Sequence, residues 1–197
     1  MRILFQGDSI TDCGRDRGDD TIPCPGYAGK VAGYLSLFHR GEYEVLNRGV
    51  SGDDTGHLLA RWETDCLALE PGLLSLLVGI NDCHNKVKLQ STADFAGNYQ
   101  SLLEQVRARL PKTRILLMEP FLLPTDPEKE YWREDLNAKK DFVKRMAREY
   151  HTAFLPLDGI FAAACAKREP AYWSEDGVHP TDAGHALIAR YWLEEVL

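Results

Sequence analysis

The sequence lacks the features that mark membrane-spanning or exported chains. No apolar run among its 197 residues approaches the roughly 20 needed to cross a bilayer, and the longest, Leu73–Ile80, contains a serine and a glycine. Met1–Phe5 carries one positive charge and is followed by Gly7-Asp8 before an apolar signal region could form. We therefore expect a soluble, cytoplasmic protein with no membrane partner.

Basic residues and paired cysteines are also scarce. The 23 Lys and Arg residues are outnumbered by 30 Asp and Glu residues, which gives a net charge of −7. This balance argues against nucleic acid as a partner, because its phosphates are bound by clustered basic side chains. The five cysteines are an odd set without a C-x-x-C pair, so we expect no disulfide framework, as in a reducing compartment.

Short apolar runs alternate with amphipathic stretches along the chain. The runs are Ile3–Phe5, Tyr43–Leu46, Leu73–Val78, Ile115–Met118 and Ala153–Leu157. They lack strict alternation, which is typical of parallel strands buried on both faces. The stretches predicted as helices are Tyr27–Phe38, His57–Leu69, Phe95–Leu110, Leu136–Tyr150 and Ala183–Val196. The first has an apolar face made of Val31, Tyr34, Leu35 and Phe38. This pattern predicts one α/β domain over residues 1–197, a doubly wound parallel sheet covered by helices.

Such a sheet predicts where a functional site lies. In open α/β sheets, ligands bind at the carboxyl ends of the strands, where the connecting loops begin. Three polar, glycine-containing segments follow predicted strands: Gly7-Asp8-Ser9, Gly49–Asp53 and Gly79–Asp82. A fourth, Ser174–Pro180, precedes the last helix. We expect these four segments to form the site.

Ser9 and the pair Asp176 and His179 are the candidates for nucleophilic chemistry. A serine hydroxyl becomes a good nucleophile when a neighbouring base removes its proton. Asp176 and His179 are three residues apart with a glycine between them, so one turn can join the carboxylate to imidazole Nδ1–H and leave Nε2 as the base. The alternatives are that Ser9 caps a helical turn and that His179 is a solvated surface residue.

Ester hydrolysis also needs hydrogen-bond donors for the oxyanion of the tetrahedral intermediate. The backbone N–H groups of Ser9 and Gly52 are candidates, because Gly52 has no Cβ to obstruct a substrate. The Asn81 side chain is the third candidate, since its amide donates without carrying charge. Taken singly, Gly52 and Asn81 are more typical of a tight turn or an Asx-turn than of an oxyanion hole.

Four blocks of the sequence resemble the SGNH/GDSL hydrolase family, in the order that the family shows and over nearly the whole chain. They are Gly7-Asp8-Ser9-Ile10, Asn47–Gly52, Gly79–Asp82 and Asp176–Pro180. The resemblance implies a three-layer α/β/α sandwich on a five-stranded parallel sheet of flavodoxin-like type. It implies Ser9 as nucleophile, His179 as base and Asp176 as its partner. It also implies an oxyanion hole made by Ser9, Gly52 and Asn81, and no cofactor.

Within that family, Gly7–Arg15, Ala60–Asp65 and Val78–Cys83 look most like bacterial acetyl-xylan and carbohydrate acetylesterases. This likeness implies an acetylated oligosaccharide as substrate, with Asp8 and Trp173 as candidate contacts. An indole beside the base-bearing loop would suit stacking on a sugar ring. A thioesterase, a lysophospholipase, a general esterase and a non-catalytic carbohydrate-binding protein are the alternatives.

Two further features have simpler interpretations. His179, Asp182 and His185 are spaced like metal ligands, but there is no H-E-x-x-H motif, and we predict no metal site. The segment Phe121–Glu134, rich in proline, glutamate and aromatic residues, is a lid, an oligomer contact or a surface loop. A homo-oligomer remains open as an alternative to a monomer.

Overall fold

Five parallel strands form one sheet in the computed structural model, which describes residues 1–19, 24–83 and 92–197. They are β1 (Arg2–Gly7), β2 (Glu44–Asn47), β3 (Leu73–Leu77), β4 (Arg114–Met118) and β5 (Ala153–Leu155). Their order across the sheet is β2-β1-β3-β4-β5, and every neighbouring pair is parallel. Each predicted apolar run overlaps one strand, so the predicted fold class is confirmed.

Helices cover both faces of the sheet. They are α1 (Ser9–Asp12), α2 (Tyr27–Phe38), α3 (Thr55–Asp65), α4 (Thr92–Arg109), α5 (Trp132–Glu149), α6 (Leu157–Cys165), α7 (Pro170–Trp173) and α8 (Asp182–Val196). Successive side chains of a strand point to opposite faces, so Ile3 and Phe5 pack with α2, α6 and α8, whereas Leu4 packs with α3, α4 and α5. The result is a three-layer α/β/α arrangement with a core on each side.

Polar side chains cap the N-termini of α3 and α8. Asp54 caps α3 by accepting a hydrogen bond from the backbone of His57, and Thr181 caps α8 in the same way through Gly184. The predicted helix His57–Leu69 is divided, because α3 ends at Asp65 and a short 3₁₀ turn follows it.

The sequence pattern missed α6 and α7. Leu157 was predicted to end a strand, but β5 ends at Leu155, and α6 begins after Pro156 without a side-chain cap. The absence of a polar cap before α6 explains why no helix start was visible there. The four-residue α7 is shorter than a periodic pattern can reveal.

The predicted apolar face of α2 is only partly correct. Val31 and Leu35 are buried, but Tyr34 is 40% exposed and Phe38 is 62% exposed. Tyr27, Val31 and Leu35 form a buried row with a four-residue repeat. Tyr34 and Phe38 lie one residue away from that row, about 100° around the helix. Their rings instead contact each other at 4.6 Å between centroids.

The segment Phe121–Glu134 is more than a surface loop. Its first three residues, Phe121 to Leu123, are buried in the core, and it then forms a 3₁₀ turn, Pro127–Lys129, before α5 begins at Trp132.

All five cysteines are free thiols. None of the helices in the described part of the chain combines the length and the apolar character that crossing a membrane requires.

Candidate active site

The turn from β1 into α1 presents Ser9 at the carboxyl end of β1, the neighbour of the central strand β3. Asp8 is the N-cap of α1, since its Oδ1 accepts a hydrogen bond of 2.9 Å from the backbone N–H of Ile10. Ser9 is the first helical residue and is half-buried. The alternative in which Ser9 itself caps the turn is therefore wrong, because Asp8 has that role and leaves the serine hydroxyl available.

Ser9 and His179 meet across 170 residues of sequence. Ser9 Oγ lies 2.9 Å from His179 Nε2, and His179 Nδ1 lies 2.7 Å from Asp176 Oδ2. A carboxylate only accepts hydrogen bonds, so the Nδ1 proton lies between the ring and Asp176. Nε2 is then an acceptor for the hydroxyl proton of Ser9. The three residues predicted from the sequence, Ser9, His179 and Asp176, are therefore connected by consecutive hydrogen bonds.

The loop that carries this pair is closed by its own hydrogen bonds. Asp176 Oδ1 accepts from the backbone N–H groups of Val178 at 2.9 Å and His179 at 2.8 Å. Ser174 Oγ donates to the carbonyl oxygen of His179 at 2.9 Å. Burial alone would raise the pKa of Asp176, but these N–H donors and the imidazole hold it well below its usual range. The carboxylate is therefore ionised throughout the neutral range.

Gly177 gives this loop its shape. Its φ of +82° lies in the left-handed region, and a Cβ there would come within 2.5 Å of the carbonyl oxygen of Leu123. The backbone N–H of Leu123 also donates to the carbonyl oxygen of Gly177 at 2.8 Å. The loop therefore packs directly against the segment Phe121–Glu134.

The acid–base pair is open to solvent. The side chains of Asp176 and His179 are 41% and 57% exposed. They border a cleft of about 350 Å³, which is also lined by Glu175, Pro180 and Thr181. A substrate can reach His179 here without displacing core residues.

The three predicted oxyanion donors lie on neighbouring loops. Within the described part of the chain, the backbone N–H groups of Ser9 and Gly52 have no hydrogen-bond acceptor. Gly52 has a φ of +86° with open space beside its Cα. Asn81 Nδ2 donates to the carbonyl oxygen of Asp53 at 2.9 Å, which orients the amide and leaves its second hydrogen for a ligand.

Two buried aspartates that the sequence interpretation did not single out hold the Gly52 loop. Asp12, on α1, accepts hydrogen bonds from the backbone N–H of Ser51 at 2.9 Å and from its hydroxyl at 3.0 Å. Asp82 accepts from the backbone N–H of Thr55 at 3.1 Å and from the Thr55 hydroxyl. Asp82 stands inside one of the four blocks and Asp12 inside the wider stretch Gly7–Arg15, but the partners they bind depend on how separate loops meet.

Burial changes the acidity of the carboxyl groups beneath the site. Burial raises the pKa of Asp8 to about 7, against the hydrogen bond from Ile10, and nearby Asp82 and Asp53 raise it further. Burial likewise raises the pKa of Asp82 to about 6 despite its bonds to Thr55. Asp8 is only 1% exposed. The structure therefore places this predicted substrate contact below the surface, where it caps α1 and is inaccessible to a sugar.

Trp173, the other predicted substrate contact, ends α7 immediately before the acid–base loop. It is half-buried, and its ring contacts Tyr172 edge-on at 4.9 Å between centroids. Tyr172 is 41% exposed, so it is the more accessible aromatic ring of the two. No motif or periodic pattern distinguishes Tyr172 from the other aromatic residues of the sequence.

The residues with metal-like spacing point to different partners. Asp182 forms an ion pair with Lys30, and His185 accepts from the backbone N–H of Tyr27 at 3.2 Å and lies 3.3 Å from Cys13 Sγ. His179 faces Ser9. Across residues 1–19, 24–83 and 92–197, no group of three or more His, Cys, Asp or Glu side chains is arranged to hold a metal ion.

Comparison with known proteins identifies the family to which this geometry belongs. The model of the GDSL-like lipase/acylhydrolase family matches residues 5–187. The chain belongs to this family. An acetylxylan esterase from Geobacillus stearothermophilus is 33% identical over 99% of this chain and 93% of its own length. The GDSL-family chain described here is accordingly a serine ester hydrolase.

Solved structures of GDSL-family proteins share the whole architecture. A crystal structure of a putative GDSL-like lipase from Parabacteroides merdae has a TM-score of 0.92 at 35% identity, covering 98% of this chain and 94% of that one. The Geobacillus acetylxylan esterase has a TM-score of 0.89 at 32% identity, covering 98% and 93%. Further structures of that esterase are of catalytic mutants in which a serine, an aspartate or a histidine is replaced by alanine.

Proposed function

We propose that this GDSL-family enzyme removes short acyl groups, acetyl above all, from carbohydrates such as xylo-oligosaccharides through an acyl-enzyme on Ser9. The observation that carries the proposal is the line from Ser9 Oγ to His179 Nε2 and from His179 Nδ1 to Asp176. The acetylxylan esterase of Geobacillus supports the substrate class, and its catalytic mutants at a serine, an aspartate and a histidine support the assignment of the trio.

In the first half of the reaction, Ser9 Oγ attacks the ester carbonyl carbon while its proton passes to His179 Nε2. Asp176 faces the opposite ring nitrogen, so its ionised carboxylate stabilises the imidazolium that forms. The negative oxygen of the tetrahedral intermediate is bound by the N–H groups of Ser9 and Gly52 and by the Asn81 amide. When the intermediate collapses, the bond to the alcohol oxygen breaks, and the imidazolium gives that oxygen its proton.

In the second half, water replaces the alcohol. His179 Nε2 removes a proton from water, the hydroxide oxygen bonds to the acyl carbon, and the bond to Ser9 Oγ breaks as the serine regains its proton. The exposure of His179 favours this step, because water reaches the ring directly from the cleft.

The side chains that border the cleft beside His179 support a polar alcohol as the leaving group. Charged and hydroxyl-bearing side chains border it beside His179, including Glu175 and Thr181. Such groups can hydrogen-bond to sugar hydroxyls. The exposed ring of Tyr172 and the half-buried ring of Trp173 add aromatic surface next to the same loop.

The substrate class is tested by measuring acetate release from acetylated xylo-oligosaccharides alongside a chain-length series of p-nitrophenyl esters. We expect rapid release of acetate and a steep fall in kcat/KM beyond four acyl carbons. Best activity on esters of eight or more carbons, or on thioesters, would exclude the acetylesterase proposal while leaving the serine machinery intact.

Replacement of Ser9 tests the nucleophile. We expect Ser9→Ala to lower kcat on p-nitrophenyl acetate by roughly 10³–10⁶-fold, because the acyl-enzyme cannot form. The unfolding midpoint should stay near that of the wild type, since the hydroxyl bonds to an imidazole that is itself 57% exposed. Organophosphate labelling at Ser9 in the wild type, and retained turnover in the variant, are the supporting and contradicting results.

A further inference from the structure

A lysine outside the four sequence blocks contacts the acid–base pair. Lys129 Nζ donates to the backbone carbonyl oxygen of Asp176 at 2.7 Å and lies 3.5 Å from Asp176 Oδ2. Its side chain is only 20% exposed, so its charge is partly shielded from water. Asp176 Oδ2 is also the oxygen that faces His179 Nδ1. Two cationic groups, one permanent and one formed during catalysis, therefore share a single carboxylate oxygen.

The segment that carries Lys129 is built to hold it there. Lys129 ends the 3₁₀ turn that Asp126 caps through the backbone N–H of Glu128, and Asp126 Oδ2 lies 3.4 Å from the lysine ammonium. The same segment is joined to the acid–base loop by the backbone bond between Leu123 and Gly177. The positions of the lysine and the loop are therefore coupled through both backbone and side chain.

The consequence for proton transfer follows from electrostatics. When His179 is neutral, Lys129 and Asp176 form a favourable ion pair. When His179 is protonated, the imidazolium lies near the ammonium group and shares its counter-ion, which costs free energy. Lys129 therefore favours the neutral imidazole, which is the form that accepts the proton of Ser9.

We propose that Lys129 is a positioning residue of the active site, which ties the Asp176 loop to the segment Phe121–Glu134 and keeps His179 in its basic form at lower pH. The inference rests on the proposed catalytic roles of Asp176 and His179. It assigns a role to a segment whose sequence alone left a lid, an oligomer contact and a surface loop as alternatives.

The charged and titratable groups around His179 come from each element packed against it. They are Ser9 on α1, Glu175 and Asp176 on its own loop, Lys129 with Asp126 on the preceding segment, and His185 with the Asp182–Lys30 pair at the start of α8. Burial, with Lys30 nearby, lowers the pKa of His185 to about 4, so it is neutral across the working range. Among these groups, Lys129 is the cation with a direct contact to the Asp176 carboxylate.

The test is the pH profile of kcat/KM for p-nitrophenyl acetate in Lys129→Met and Lys129→Arg. We expect Lys129→Met to move the acid limb up by roughly half a pH unit at low salt, and by less at 0.5 M NaCl, because the lost charge is partly screened. We expect Lys129→Arg to keep the wild-type limb. An acid limb in Lys129→Met that coincides with the wild type at low salt overturns the proposal.

A matched control and an opposite-sign variant sharpen the test. Arg109→Met removes a cation from an exposed ion pair with Glu63 at the far end of α4, and it should leave the acid limb unmoved. Asp126→Asn keeps a capping oxygen but removes the second counter-ion of Lys129, so it should move the limb slightly downward. An upward shift in Asp126→Asn equal to that of Lys129→Met would contradict the charge argument.

A readout without turnover separates this inference from the proposed function. In the Ser9→Ala background, the titration of the His179 imidazole is followed by NMR with and without Lys129→Met. A higher titration midpoint without Lys129 supports the proposal even if the natural substrate is not a carbohydrate ester. An unchanged midpoint overturns it even if ester hydrolysis proceeds as proposed.

Discussion

The two sides of the candidate active site are built in opposite ways. On the oxyanion side, Asp12 and Asp82 are 3% and 0% exposed and bind the backbone of the Gly52 loop from within the protein. On the acid–base side, the Asp176 and His179 side chains are about half exposed on a loop held by its own hydrogen bonds. Both sides use aspartate, but one set is structural and the other faces the solvent.

The difference reflects what each side has to do. Oxyanion donors work when they are already oriented before charge develops, and buried hydrogen bonds give that rigidity. A base has to exchange protons with alcohol and water in every cycle, so it benefits from exposure. The same substitution, Asp→Asn, should therefore have different consequences at Asp176, Asp82 and Asp8.

The largest effect is expected at Asp176. Asp176→Asn keeps an oxygen for the N–H groups of Val178 and His179, but it presents an amide to imidazole Nδ1 and favours the wrong tautomer. We expect kcat on p-nitrophenyl acetate to fall roughly 10³–10⁴-fold. The unfolding midpoint should change little, because the side chain is 41% exposed and asparagine keeps an oxygen for the two N–H groups. A loss of less than tenfold would show that this carboxylate does not orient the base.

An intermediate effect is expected at Asp82. Asp82→Asn weakens the hydrogen bonds to Thr55, which join the Asn81 loop to the start of α3 just after Gly52. We expect kcat to fall roughly tenfold with little change in KM, because misplaced oxyanion donors affect the transition state more than the bound ester. Steady-state kinetics on p-nitrophenyl acetate measure the split.

Thr55 supplies the matched pair of controls for Asp82. Thr55→Ser retains the hydroxyl that donates to Asp82 and should keep most of the activity. Thr55→Val has a similar shape without the hydroxyl and should reproduce the loss. Equal activity in the two variants would remove Asp82 and Thr55 from the oxyanion side.

The smallest effect on turnover is expected at Asp8, where the change is in stability. The pKa of Asp8 is raised from 3.8 to about 7 in the folded state, so its contribution to stability is complete below pH 3.8 and is lost as the pH rises through about 7. Asp8→Asn cannot ionise. The difference in free energy of unfolding, variant minus wild type, should therefore increase by roughly 1–3 kcal/mol between pH 5 and pH 8.

Urea unfolding of Asp8→Asn and wild type at the two pH values measures this difference. Working with the difference between the proteins cancels the other carboxyl groups, including Asp82, whose pKa is also raised. If the difference in free energy of unfolding between variant and wild type is the same at pH 5 and pH 8, Asp8 does not titrate between these pH values.

The sequence was sufficient to predict those features that depend on local patterns of residues. Strand-length apolar runs predicted all five strands, and the spacing of Asp176 and His179 predicted their hydrogen bond. Ser9 could be paired with His179 because the loops that carry them were both predicted to lie at the carboxyl edge of the sheet. The roles of these residues in catalysis stay predictions until the variants are measured.

The remaining features depend on contacts between distant segments, which periodicity does not encode. Asp82 was visible as part of a block, but its partner Thr55 lies 27 residues away on another loop. Lys129 carried no motif at all, and only the packing of Leu123 on Gly177 brings it to Asp176. Tyr34 and Phe38 were assigned to the buried face of α2 because hydropathy alone does not show which row of apolar side chains on a helix packs in the core.

The 170-residue separation between Ser9 and His179 has a consequence for how activity arises during folding. Ser9 follows the first strand, whereas His179 lies on the loop just before α8, which packs beside α2. A partly folded intermediate, or a nascent chain whose last helix is still unmade, would contain the serine without its base. The onset of ester cleavage in a refolding experiment should therefore report when Ser9 and His179 come together, rather than when β1 and α1 form.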